Sequence, residues 1–167
     1  MDTYLIWIIV FDKGILYEKE LITMIEQDTI KLYRECDAGI KMGVSSIDDV
    51  LEYVDSKRLS QYLTGCKNEH IKLKDEIQSY LDKYHDNGKD PNPMAKSMSW
   101  IKTNVKLALK DSDSTIADLM IDGCDMGVKS LSKYLNQYAA ADENSKNITK
   151  RLIGLEEQLS KDMRQFL

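Results

Sequence analysis

Cys36-Asp37-Ala38-Gly39-Ile40-Lys41 recurs in this chain as Cys124-Asp125-Met126-Gly127-Val128-Lys129, 88 residues later. A second stretch, Ser56-Lys-Arg-Leu-Ser-Gln-Tyr-Leu-Thr-Gly65, recurs as Ser145-Lys-Asn-Ile-Thr-Lys-Arg-Leu-Ile-Gly154 at an offset of 89. Two matches in the same order at nearly equal offsets read as the duplication of one helix-turn-helix unit.

Periodicity supplies the helices independently. Tyr33, Cys36, Ile40, Gly43, Ile47, Val50 and Val54 follow the three-four spacing of one helical stripe. Leu59, Leu63, Cys66, His70, Leu73, Ile77, Tyr80 and Tyr84 keep the same spacing, with Asp55-Ser56 as turn and cap between the two stripes. A third stripe runs through Ile121, Cys124, Val128, Leu131, Leu135 and Tyr138, and a fourth through Ile148, Leu152, Leu155, Leu159 and Phe166. Four helices with one apolar face each bury those faces only against one another, which predicts an all-α four-helix bundle.

The connection between the second and third helices sets the topology. Asp86 to Pro93 is a loop by composition, Met98 to Lys110 reads as a short helix with Trp100, Ile101, Val105 and Leu109 facing inward, and Asp111 to Ser114 restarts the chain as a cap. A crossover of about 86–112 is long enough to run the length of a bundle and leave the helices on either side of it parallel. The first repeat then covers about 24–85 and the second about 113–167.

Composition agrees with one domain of long helices. The 167 residues are 43% hydrophobic, enough for a single core, and only two prolines, Pro91 and Pro93, interrupt them. The net charge of -5 comes from interspersed signs without a basic block, so no nucleic-acid footprint is expected. Cys36, Cys66 and Cys124 are odd in number and widely spaced, which points to a reducing cytoplasm over a disulfide framework. Residues 1–23 stand apart. Tyr4 to Phe11 is a continuous apolar run between Asp2 and Asp12, too short to span a bilayer and without the basic flank of a secretory signal. It is either a strand or helix that docks on the bundle or an upstream extension. Because Lys19-Glu20 can be encoded AAG-GAG three codons before Met24, the expectation is a physiological start at Met24.

Asp37-Ala-Gly39, the Asp55 turn, Trp100 and Asp122-Gly-Cys-Asp125 together resemble the ferritin-like superfamily, and within it a bacterial family of uncharacterised four-helix proteins. The resemblance covers about residues 24–167 and implies a ferritin-like bundle with parallel second and third helices. It carries no established activity. Di-iron members of the superfamily place a Glu on the first and third helices and Glu-x-x-His on the second and fourth. Here Glu35 and His70 fall at suitable positions, but Lys67 stands three residues before His70, Leu159 replaces the second histidine beside Glu156, and Gly123 repeats Glu35. Half of the ligand set is missing, so no di-iron cofactor is expected.

Other residues could still carry chemistry. His70 is the one histidine on an inward stripe, whereas His85 ends the second helix, where its charge suits the helix dipole. If Lys67 and Glu156 face one another, an ion pair occupies the former metal position. Cys36, Cys66, Cys124 and His70 all fall near mid-bundle and form a zinc-type donor set, although no Cys-x-x-Cys pair is present and buried cysteine commonly serves as a small hydrophobe. Asp37–Lys41 and Asp125–Lys129 read as exposed i to i+4 ion pairs, or as a symmetric polar patch for self-association. The leading expectation is a non-enzymatic cytoplasmic bundle, structural or interaction-type, able to form homo-oligomers, with no nucleic acid or membrane as partner. The alternative is a metal-binding or redox bundle that holds zinc or iron through Glu35, His70, Glu156 and the three cysteines.

Overall fold

The computed structural model describes the backbone of residues 3–91 and 112–167 and the side chains of 16–91 and 113–167. Four helices account for nearly all of it: α1 (Thr3–Leu51), α2 (Lys57–Lys83), α3 (Ser112–Gln137) and α4 (Glu143–Met163), with a closing 3-10 turn at Arg164–Phe166. The described residues contain no strand. The expected helix at Met98–Lys110, with Trp100, lies outside them.

Local chemistry sets the helix ends. Ser56 caps α2 by accepting from the Leu59 amide at 3.3 Å, and Asp142 caps α4 by accepting from Ser145 at 2.7 Å. α2 ends at a left-handed residue, His85 with φ 54, where the Asp86 amide reaches back to Leu81 O at 3.0 Å and the His85 amide to Asp82 O at 3.1 Å. The chain leaves the helix by a hydrogen-bonded reversal that usually employs glycine.

Two apolar clusters show how the helices run. One gathers Ile47 and Val50 from late α1, Leu59 and Leu63 from early α2, Ile116 to Cys124 from early α3, and Leu159 and Met163 from late α4. The other gathers Tyr33, Cys36 and Ile40, then Leu73, Ile77 and Leu81, then Leu131, then Ile148 and Leu152. α1 and α4 therefore point toward one end of the bundle while α2 and α3 both point away from it, so α2 ends and α3 begins at opposite ends of the bundle.

Each hairpin turn is held by the first helix of the other hairpin. Asp113 of α3 accepts from the Asp55 and Ser56 amides at 3.0 and 2.9 Å. Thr29 of α1, fully buried, accepts from the Asp142 amide at 2.8 Å, and Asp28 accepts from Ala140 at 3.3 Å. These anchors make Thr29 the counterpart of Asp113, 84 residues on, and Ser56 the counterpart of Asp142, 86 residues on. The burial pattern keeps that register, pairing Leu32 with Ile116, Ile40 with Cys124, Ile47 with Leu131, Leu73 with Leu159 and Ile77 with Met163, all buried. It differs from the sequence offsets of 88 and 89 by four and three residues, one helical turn, which preserves which face points inward and moves each residue along the bundle.

α1 is longer than its stripe. It runs unbroken back to Thr3, so residues 3–23 are helix rather than strand, and Leu16, Tyr17, Leu21, Ile22 and Met24 are exposed instead of docked on the bundle. No helix among the described residues is long and apolar enough to cross a membrane.

Candidate functional site

Between the two apolar clusters lies a polar layer. His70 of α2 is 1% exposed, and its Nε2 stands 3.0 Å from Oε1 of Glu156 on α4. Each residue is the fourteenth after its own N-cap, Ser56 or Asp142. The pair thus occupies equivalent places in the two hairpins and meets where they cross.

Glycine makes the room. A Cβ at Gly43 of α1 would lie 3.2 Å from His70 Nε2 and 3.6 Å from Glu156 Oε1, and one at Gly127 of α3 would lie 3.5 Å from Glu156 Cδ. Gly43 and Gly127 are 84 residues apart, the same spacing as Thr29 and Asp113, so the centre repeats the symmetry of the turn anchors. Two glycines on one pair of helices admit two long polar side chains from the other pair.

Hydrogen bonding decides the protons. His70 Nδ1 lies 2.9 Å from the carbonyl oxygen of Cys66, a group that only accepts, so Nδ1 carries a proton. The Nε2 contact with the Glu156 oxygen then needs a second one. Burial disfavours an imidazolium here, but the contacts with Cys66 and Glu156 outweigh it and push His70 up to about 10. At neutral pH the layer holds an imidazolium and a carboxylate, an ion pair whose histidine is buried and whose glutamate is partly so. The Cys124 thiol also bonds to Glu156, and burial together with that carboxylate raises it.

The structure separates the other expected donors. Cys36 Sγ lies 3.2 Å from Thr149 Oγ1, whose proton goes to the Ser145 carbonyl at 2.7 Å, so the thiol donates. Burial pushes Cys36 up to about 12. Glu35 gives both oxygens to Lys89 Nζ at 2.6 and 2.7 Å and also receives a bond from Tyr134. Of the donor sets proposed from sequence, only Cys66, His70, Cys124 and Glu156 come together, and His70 directs its two nitrogens to opposite sides. Among the described residues no three His, Cys, Asp or Glu side chains converge as a metal cage would require.

Two expected ion pairs need correction. Lys67 does not face Glu156: it lies beside the inward stripe and pairs with Asp48 of α1, leaving Glu156 to His70. Asp37 is not exposed. It is 1% accessible, accepts from the Lys89 amide at 3.0 Å and from Lys41 Nζ at 2.9 Å, and lies under the loop after α2. Lys41 also reaches Lys89 O at 3.3 Å and Asp90 at 3.1 Å. Gly88, with φ +76, lets that loop close, because a Cβ there would overlap the Asp37 carboxylate. Asp125, by contrast, is exposed and accepts from Ser160 Oγ at 3.1 Å.

Sequence reasoning missed the His70–Glu156 pair and the Asp37 clamp. Gly43 on an otherwise apolar stripe was the one local signal of a close approach at the centre. Compared with known proteins, the chain matches no family model, no curated protein and no solved structure.

Proposed function

We propose that this chain is a non-enzymatic bundle protein of the structural or interaction type that associates with further copies of itself through the start of α1. The observation that carries the reading is the exposed apolar stripe within residues 16–24, on a stretch that continues α1 without a break and is therefore read as part of the chain rather than as an extension upstream of Met24. From Thr3 to Gln27, α1 precedes the two residues that anchor the α3–α4 turn, and at 1.5 Å per residue this arm is about 38 Å long. Tyr17 is 71% exposed, Leu21 52% and Met24 49%, and their i, i+4, i+7 spacing draws one stripe, with Leu16 and Ile22 exposed beside it. The most apolar stretch of the sequence, Tyr4–Phe11, lies further along the same helix. A single helix in water is marginal without a packing partner, and a continuous apolar stripe marks an interaction surface. Glu18, Lys19 and Glu20 alternate in sign, which suits pairing with a second copy of the same helix.

Sedimentation velocity on the full chain tests this. The wild type is expected to sediment as a defined oligomer, and Tyr17→Glu/Leu21→Glu/Met24→Glu as a monomer whose bundle unfolds at the same temperature. A monomeric wild type at tens of micromolar overturns the reading.

The ferritin-like, metal-binding or redox reading keeps one supporting observation. His70, Glu156, Cys66 and Cys124 lie close together at mid-bundle, and they belong to the donor set that this reading names. Metal analysis of protein purified without chelator separates the two readings, with about one equivalent or more of iron or zinc favouring the second. The cytoplasmic placement rests on the three cysteines, all unpaired as thiols.

A further inference from the structure

Cys66 differs from the other two cysteines in its surroundings. Cys36 and Cys124 are 0% and 1% exposed, whereas Cys66 is half-buried and lines an open groove of about 830 Å³ between α2 and α4. The groove presents Arg58, Glu69 and Asp162 around Tyr62 and Leu155, so it offers both signs of charge beside an apolar floor. Gly65 and Gly154 line it, and a Cβ at either would stand in open space, with nothing within 4 Å.

Behind the thiol stands the polar layer. His70 Nδ1 is 3.5 Å from Cys66 Sγ, and Nε2 is held by Glu156 at 3.0 Å, which places sulfur, imidazole and carboxylate in series. Near the sulfur are His70 on α2 and Cys124 on α3, with Glu156 of α4 on the far side of the imidazole and Arg58, Glu69 and Asp162 lining the groove. The imidazolium stabilises the negative charge carried by an attacking sulfur. Acyl transfer would also need donors for an oxyanion, and Cys66 sits in the middle of α2, where the backbone amides are committed to the helix. Exchange with a disulfide develops charge only on sulfur and needs no such donors.

We propose that Cys66 is a thiol-exchange site that takes a small, peptide-like zwitterionic disulfide from the α2–α4 groove. Cys66 gives its proton to solvent water as its sulfur attacks one sulfur of the disulfide R–S–S–R, the bond from Cys66 to that sulfur forms as the S–S bond breaks, and RS⁻ leaves with the electron pair and takes a proton from water. Cys66 ends as a mixed disulfide and one half of the small disulfide ends as a thiol, so the small disulfide is the oxidant. The site is independent of self-association through the α1 arm.

The test incubates the folded full-length protein with oxidised glutathione and reads intact mass and peptide maps. One adduct is expected, on Cys66, and none in Cys66→Ser. Gly154→Leu fills the groove from a position with open space around it. It should slow oxidised glutathione at least several-fold while the much smaller methyl methanethiosulfonate reacts at the wild-type rate. His70→Gln, with helicity checked by circular dichroism, should slow both reagents. Adducts spread over all three cysteines, modification only after unfolding, or an unchanged glutathione rate in Gly154→Leu overturns the proposal.

Discussion

His70 Nε2 and Glu156 Oε1 meet 3.0 Å apart at the crossing point of two hairpins, each residue fourteen places beyond the cap of its own helix. A largely buried ion pair of this kind contributes little net stability against an apolar pair of the same volume, because desolvation offsets most of its attraction. It does specify how the hairpins dock. Sliding one by a turn would leave an imidazolium facing Leu152 or Leu159 and a carboxylate without a partner, which is strongly unfavourable.

Stability should therefore follow the protonation of His70. Its folded value of about 10 lies above the unfolded imidazole value of about 6.5, so the folded state binds this proton more tightly. The contribution is fully present below about pH 6.5 and declines as pH rises toward about 10. Urea unfolding midpoints should fall across that window in the wild type and change less in His70→Gln. Midpoints that stay level from pH 6.5 to 10 in the wild type would rule out the imidazolium.

Glycine substitutions should divide by location. Gly88→Ala forces a side chain into a left-handed residue and against the Asp37 carboxylate, so it should cost about 2 kcal/mol or more. Gly65→Ala, in mid-α2 with open space at the new Cβ, should add about 0.5–1 kcal/mol by helix propensity. Chemical denaturation of both variants checks the contrast, and equal effects would contradict the loop clamp on Asp37.

Tyr33 offers the opposite kind of change. It is fully buried and stacks on Tyr80 with ring centroids 5.2 Å apart, yet among the described residues its hydroxyl has no hydrogen-bond partner. An unsatisfied buried donor costs about 1–3 kcal/mol, and burial raises the phenol well above its usual range. Tyr33→Phe keeps the ring and removes that cost, so its melting temperature should rise by about 2–4 °C. A fall would mean that the hydroxyl is satisfied in solution.

Particular residues show how far a linear reading extends. The stripe through Leu59, Leu63, His70, Leu73 and Ile77 was legible because burial on a helix repeats every three or four residues, and each of these is buried. The Ser56 cap was legible because its hydroxyl bonds an amide three residues away. Asp37 was not. At i to i+4 from Lys41 it reads as a surface pair, and only the folding back of Lys89, 52 residues later, buries it. Lys67 was misplaced for a similar reason, since one helical position decides between Asp48 and the bundle interior.

The letter matches between the two halves show the same limit in register. Cys36 and Cys124 match as letters at an offset of 88, whereas the turn anchors and buried pairs align α1 with α3 at 84. A shift of one turn leaves every apolar stripe facing inward, so sequence periodicity cannot detect it. It moves Cys36 away from the centre to Thr149 and leaves Cys124 beside Glu156.

By itself, then, the sequence determined the helices, their inward faces and the two hairpin turns, because propensity, caps and periodicity act over a few residues. Tertiary structure alone decided which residues share the middle layer. Gly43, His70, Gly127 and Glu156 come from four different helices, and their meeting depends on axial register, which is set by the long-range bonds of Thr29 and Asp113 to the opposite turns.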